Sequence, residues 1–118
     1  MNDIIEALRA LRVPAGQSEN TIHDMVARAL QAGGFHPAHE AKLGPGQRID
    51  FMVGSVGIEI KRGKISSAVL LPQIRRYLAS DALSALIIVA EKRVRIPSPV
   101  MGKPVRVISL AGLWGVAL

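Results

Sequence analysis

The stretch from Arg48 to Lys61, RIDFMVGSVGIEIK, decides the fold. Apolar and polar residues alternate on both sides of the pair Gly54-Ser55, and this period of two is typical of strands. A Gly-containing pair between two such segments is typical of a tight turn. The stretch therefore predicts a β-hairpin.

The register of this hairpin brings two acidic residues together. With Gly-Ser at the tip, Phe51 lies opposite Ile58 and Asp50 lies opposite Glu59. Lys61 follows Glu59 by two residues and projects to the same face of its strand. We therefore expect two carboxylates and one ammonium group on a common surface.

Two directly opposed carboxylates destabilise a sheet, so we expect a cation beside Asp50 and Glu59. Mg²⁺ suits this position because it binds carboxylate and phosphate oxygens and keeps several waters. Together with Lys61, such a site suits metal-assisted hydrolysis of a phosphodiester. The alternative is that these residues and Arg48 form the solvated face of an ordinary hairpin.

The rest of the chain predicts an α/β fold. The segment Leu83–Ala90 is apolar on both faces, as in the central strand of a covered sheet, and the order helix, strand, hairpin, helix, strand, strand implies a mixed sheet flanked by helices. The predicted elements are a helix over 2–12, a helix from Ser18, Asn20 or Thr21 to Gly33, a strand over 35–43, the hairpin, a helix over about 66–79 in which Pro72 begins or kinks the main body, and strands over 83–90 and 105–108.

The length of 118 residues and a hydrophobic content of 49% suit one domain with one core. We expect an N-terminal helix within 1–13, a core over about 18–109, and an apolar tail over 110–118 that caps the core or forms a dimer surface. The chain has no cysteine, which excludes disulfides and thiolate zinc sites and fits a reducing cytoplasm.

A net charge of +6 favours a polyanionic partner such as nucleic acid, although a merely basic soluble protein is an alternative. The longest apolar run is too short for a membrane helix, and Asp3 and Glu6 lie where a secretory signal carries positive charge. We therefore expect an intracellular protein with no membrane partner.

Asp50 and the sequence Glu59-Ile60-Lys61 resemble the motif of the PD-(D/E)XK nuclease superfamily. Ile49 stands at the motif's proline position, which is variable. Glu19 resembles the helix-borne acid of the branch that includes Holliday-junction resolvases and Mrr-type restriction domains. Gln73 resembles the glutamine that many members carry on the helix after the hairpin. The resemblance spans residues 18–91 and implies a restriction-endonuclease-like core.

The resemblance also implies roles. The metal ligands would be Asp50, Glu59, the backbone carbonyl of Ile60 and, directly or through water, Glu19. Lys61 would orient or activate the attacking water, and Gln73 would fix this lysine or a phosphate. The alternatives are that Glu19 complements the dipole of its helix and that Gln73 is an exposed helix residue.

Several basic residues near the hairpin are candidates for contacts to the DNA backbone, although each could be a solvated charge. They are Arg48, Arg62, Lys64, Arg75 and Arg76, which Arg93, Arg95 and Lys103 could extend. His23 follows Glu19 by one helical turn and could touch a phosphate or lie on the surface. A zinc site at His36, His39 and Glu40 is rejected because the two histidines fall on opposite faces of a strand.

The sequence thus predicts a Mg²⁺-dependent DNA endonuclease, with Mn²⁺ as a substitute. By family analogy it resembles a Holliday-junction resolvase, a homodimer that cuts branched or double-stranded DNA during recombination or repair. It would act in the cytoplasm on nucleoid or viral DNA, and its small size suits a phage. The alternatives are a DNA-binding module that does not cut, a nickase or a flap or end-processing nuclease, and a restriction-like subunit that awaits a partner.

Overall fold

The computed structural model describes residues 1–14 and 16–111. A five-stranded mixed sheet with the strand order β1-β2-β3-β4-β5 forms its centre. The elements are α1 (Asn2–Arg9), α2 (Glu19–Ala32), β1 (Ala38–Gly44), β2 (Gln47–Val53), β3 (Val56–Lys61), α3 (Ser67–Leu78), β4 (Ala85–Ala90) and β5 (Val105–Ser109). The prediction of an α/β fold with a mixed sheet flanked by helices is confirmed.

The sheet joins an antiparallel half to a parallel half. β1, β2 and β3 form an antiparallel meander, whereas β3, β4 and β5 run parallel. All six residues of β4 are buried, as predicted for the segment that ends at Ala90. Because β4 lies between two parallel neighbours, the carboxyl ends of β3, β4 and β5 meet at one edge of the sheet.

Helices cover both faces of the sheet. On one face, α1 and α2 pack against a cluster that includes Phe51, Ile58 and Ile87. On the other face, α3 packs against a second cluster that includes Ile49, Leu86 and Ile88. Among the described residues, no helix has the length and apolar character that a membrane crossing requires.

The helix boundaries follow capping residues. Ser18, one of the three predicted N-cap candidates, accepts a hydrogen bond from Thr21 N at the start of α2. Ser66 caps α3 in the same way, and Pro72 lies in the interior of that helix on its exposed side. The helix α1 ends at Arg9, earlier than predicted. Residues 112–118, which make up most of the predicted tail, lie outside the described residues, whereas Leu110 is buried.

Candidate active site

The hairpin opens at Asp50 and Glu59. The predicted register is confirmed from Val53 opposite Val56 to Phe51 opposite Ile58, where the ladder ends. Beyond it, each carboxylate accepts a hydrogen bond from the other strand. Asp50 N donates to Glu59 Oε1 over 3.1 Å, and Ile60 N donates to Asp50 Oδ2 over 2.8 Å. At this point carboxylate oxygens, instead of backbone carbonyls, accept hydrogen bonds from the backbone of the opposite strand.

The strand β2 rotates about its axis at this point. Phe51 packs below α2, but Ile49 packs with the α3 side, although strict alternation places both on one face. The expectation that Asp50 and Glu59 face each other is consistent with the hydrogen bonds that each carboxylate accepts from the other strand, but β2 is not regular at this point. The two carboxylates lie in the opening between the strands, with Asp50 beside α2 and Glu59 beside α3. On the neighbouring strand, Glu40 has a φ of 52°, a second irregularity next to this site.

Glu59 is the one buried charged residue among those described, and its side chain is only 8% exposed. Its Oε2 accepts a hydrogen bond of 2.9 Å from the Tyr77 hydroxyl and lies 3.3 Å from Lys61 Nζ. This contact confirms that Glu59 and Lys61 share a face. Burial, and then the charge of Asp50, raise the pKa of Glu59. A further cation would lower the cost of this buried charge.

Tyr77 belongs to the site, although the sequence did not predict it as a site residue. Gln73 Nε2 donates to the Tyr77 hydroxyl over 3.0 Å, and that hydroxyl donates in turn to Glu59. Burial, and then the charge of Glu59, raise the pKa of Tyr77, so the phenol stays neutral. Gln73 therefore supports Glu59 through Tyr77, and the implied role of fixing Lys61 or a phosphate stays a prediction. The signal available in the sequence was the spacing of four residues, which places Gln73 and Tyr77 on one helical face.

Asp50 faces an open cleft of about 450 Å³ at the start of α2, lined by Glu19, Asn20, His23, Asp24, His39, Glu40 and Asp50. His23 Nε2 lies 3.8 Å from Asp50 Oδ2 and 3.9 Å from Glu19 Oε1. The predicted shared face of Glu19 and His23 is confirmed by this approach. Glu19 itself is 65% exposed, so it lies at the rim of the cleft.

His39 holds His23 in place. Its ring stacks on Phe51 with centroids 4.8 Å apart, and its Nε2 lies 3.4 Å from His23 Nδ1. The sequence did not suggest this role, because the pairing of His39 with Phe51 requires the register between β1 and β2.

The backbone of Ile60 also faces the opening. The N–H and C=O groups of one residue in a strand point to the same neighbouring strand. Because Ile60 N donates toward Asp50 on β2, the Ile60 carbonyl is directed to that side as well. The neighbouring carbonyl, of Lys61, points the other way and accepts from Glu91 N.

These groups suit a hard divalent cation in kind and number. Two carboxylates and a carbonyl oxygen leave positions for water and phosphate, as Mg²⁺ prefers. The described residues hold no group of three or more His, Cys, Asp or Glu side chains arranged to bind a metal ion. A cation here would therefore take part of its shell from the backbone, water and substrate.

The predicted DNA-contacting residues are all exposed. Arg48 lies on β2, Arg62 and Lys64 follow β3, and Arg75 and Arg76 lie on the outer side of α3. Lys103 behaves differently from the expectation that it extends the basic surface. Its Nζ donates to the carbonyls of Leu78 and Ser80 at the end of α3, where a cation complements the helix dipole.

Comparison with known proteins yields no match: no family model, curated protein or solved structure resembles this chain closely enough to count as one.

Proposed function

We propose that this protein is a Mg²⁺-dependent DNA endonuclease that hydrolyses phosphodiester bonds, with Mn²⁺ able to replace Mg²⁺. The observation that carries the proposal is the opening of the hairpin at Asp50 and Glu59. There, the ladder ends, each carboxylate accepts a hydrogen bond from a backbone N–H of the other strand, and Lys61 lies 3.3 Å from Glu59. A hairpin whose charges only faced solvent would keep its ladder and leave Glu59 exposed.

The ligands of the cation would be Asp50, Glu59 and the carbonyl of Ile60, with Glu19 acting through water from the rim. When bound, Mg²⁺ would lower the pKa of its water and neutralise charge on the phosphate. Lys61 would donate a hydrogen bond to the attacking water or to a phosphate oxygen. Water would add its oxygen to phosphorus, the bond from phosphorus to the leaving oxygen would break, and that oxygen would take up a proton.

The order of the elements supports a restriction-endonuclease-like core. An acid-bearing helix, the hairpin, a glutamine-bearing helix and a buried strand follow one another as α2, β2 with β3, α3 and β4. This is the order that the resemblance to the PD-(D/E)XK superfamily requires. By the same analogy we propose a structure-directed enzyme such as a junction resolvase, in which a two-fold dimer places one site on each strand.

The test is cleavage of labelled four-way junction, flap, nicked and plain duplex DNA in Mg²⁺ or Mn²⁺ at one stated salt concentration. Wild type is expected to cut at least one of these substrates, and EDTA, Glu59→Ala and Lys61→Ala are each expected to abolish cutting. The preferred substrate distinguishes a resolvase from a nickase or a flap nuclease. DNA binding without any metal-dependent cutting would contradict the proposal and leave a non-cutting module of the same fold.

A further inference from the structure

The charges of this chain are distributed unevenly along its length. Residues 1–59 contain seven acidic and five basic residues, whereas residues 60–118 contain two acidic and ten basic residues. The excess of positive charge therefore lies after Glu59, in the turn that follows β3, in α3 and in the segment after β4. Within this region, the segment Lys92–Ile96 is here called the basic loop. The proposed nuclease chemistry assigns no role to its residues.

The basic loop is anchored to the core by its apolar residues. Val94 and Ile96 pack against the cluster on the α3 face, whereas Arg93 and Arg95 are exposed. Val94, Val107 and Ser109 line, together with the two arginines, a cleft of about 320 Å³ at the end of β5. The two guanidinium groups are thus presented outward by a segment that is fixed to the core at every second residue.

Glu91 places the basic loop beside the nuclease site. Its carboxylate accepts a hydrogen bond of 2.7 Å from Gly63 N, and its own N–H donates to the Lys61 carbonyl over 2.8 Å. The turn that carries Arg62 and Lys64 is therefore joined to the start of the basic loop. Both segments lie at the edge where the carboxyl ends of the parallel strands meet.

Within residues 1–14 and 16–111, the charges on these segments pair with no carboxylate. Among the described residues, none of Arg62, Lys64, Lys92, Arg93 and Arg95 forms an ion pair. Exposed guanidinium groups that form no ion pair suit phosphate, which they bind in bidentate fashion. A cationic surface of this kind suits the polyanionic backbone of a nucleic acid.

We infer that the basic loop is a second phosphate-binding surface, which holds DNA on one side of the scissile bond. This inference rests on the proposed nuclease function. The ends of β3 and β5 are separated by two strand spacings, about 10 Å, which corresponds to about three base pairs of a duplex. The substrate would therefore extend across the carboxyl edge of the parallel strands, from Lys61 to Arg93 and Arg95.

The test measures the salt dependence of DNA binding in EDTA, so that no strand is cut. The probes are a labelled duplex and a labelled four-way junction. For Arg93→Gln with Arg95→Gln, the slope of log affinity against log salt is expected to fall by about two. The control pair Arg9→Gln with Arg28→Gln removes the same charge from α1 and α2 and is expected to leave the slope unchanged.

Arg93→Lys with Arg95→Lys keeps the charge and is expected to keep the slope, which separates lost charge from lost packing. Equal slopes for the glutamine pair and its control, or no DNA binding by wild type, would overturn the inference. Cleavage by wild type is recorded separately in Mg²⁺. Cutting with unchanged slopes overturns the second surface alone, whereas a reduced slope without cutting supports the surface and overturns the nuclease.

Discussion

Asp50 and Glu59 occupy one opening between two strands, yet their surroundings differ. Asp50 is 23% exposed, faces the acidic cleft at the start of α2 and lies 3.8 Å from the His23 ring. Glu59 is buried below α3 and contacts Lys61 and the Tyr77 hydroxyl. The comparison shows that Glu59 is enclosed by protein groups whereas Asp50 is open to solvent, and we propose that Glu59 is the fixed ligand and Asp50 the one that meets the substrate.

Removal of either charge is expected to have the largest effect. Asp50→Asn and Glu59→Gln should each lower metal-dependent cleavage by more than about 100-fold, the upper limit for residues that only support a ligand. Both variants keep the side-chain volume, which limits effects on folding. Single-turnover cleavage rates on one DNA substrate provide the measurement. Full activity of Glu59→Gln would show that the Glu59 carboxylate is not needed for cleavage and would contradict the proposed active site.

Loss of the support for Glu59 is expected to have an intermediate effect. Tyr77→Phe removes the hydroxyl that orients Glu59 and should lower the affinity for Mn²⁺ by about 10–100-fold. The matched change beside Asp50 is His39→Gln. Because His39 reaches Asp50 only through His23, this variant should lower the affinity for Mn²⁺ less. Calorimetric titration with Mn²⁺ measures both, and an equal loss for the two variants would contradict the proposed difference between the two acids.

A change in the shape of the opening is expected to act through stability. A Cβ atom at Gly57 would lie 2.5 Å from Ile49 Cδ1 and 2.8 Å from Leu83 Cδ2. Gly57→Ala should therefore lower the free energy of unfolding by about 1–3 kcal/mol, because Ile49 crosses to the α3 face at this point. Denaturant unfolding measures this loss, and Gly54→Ala is an unsuitable control because Gly54 has a φ of 59°.

Gly44→Ala is a better control for Gly57→Ala, since no atom lies within 4 Å of its added Cβ and no positive φ is present. A wild-type stability for Gly57→Ala would show that Ile49 does not fill this space.

The smallest expected effect is a change of the free energy of unfolding with pH that arises from the titration of Glu59. Its pKa in the folded metal-free protein is raised above the ordinary value of 4.5, so the folded state binds more protons than the unfolded state just above that pH. The free energy of unfolding should therefore fall as the pH rises from about 4.5 through the folded pKa. Denaturant unfolding in EDTA at several pH values measures the slope.

Glu59→Gln should flatten this slope, whereas Asp50→Asn should leave part of it, since burial contributes more than the charge of Asp50. A slope that persists unchanged in Glu59→Gln would assign it to another group.

Much of the fold was predictable because local patterns determine it. The Gly54-Ser55 turn and the alternation around it fix the hairpin register, Ser18 caps α2, and the apolar run ending at Ala90 places β4 at the centre. The rotation of β2 at Asp50 was not predictable, because strict alternation assumes a regular strand. It depends on packing between Ile49 and α3, which are distant in the sequence.

The composition of the site was easier to predict than its contacts. Glu59 and Lys61 are two residues apart, and Glu19 and His23 are four apart, so spacing alone brings each pair together. Tyr77 reaches Glu59 from another element, and Lys103 reaches the end of α3 from the segment before β5. Such contacts follow from tertiary packing, which no local pattern describes.

The most direct test of the central claim is a crystal of this protein soaked in Mn²⁺, examined by anomalous diffraction. The expected result is a peak between the carboxylates of Asp50 and Glu59 and the carbonyl of Ile60, which disappears in Glu59→Gln crystals. No peak at the hairpin opening, with Mn²⁺ bound elsewhere or not at all, would contradict the account.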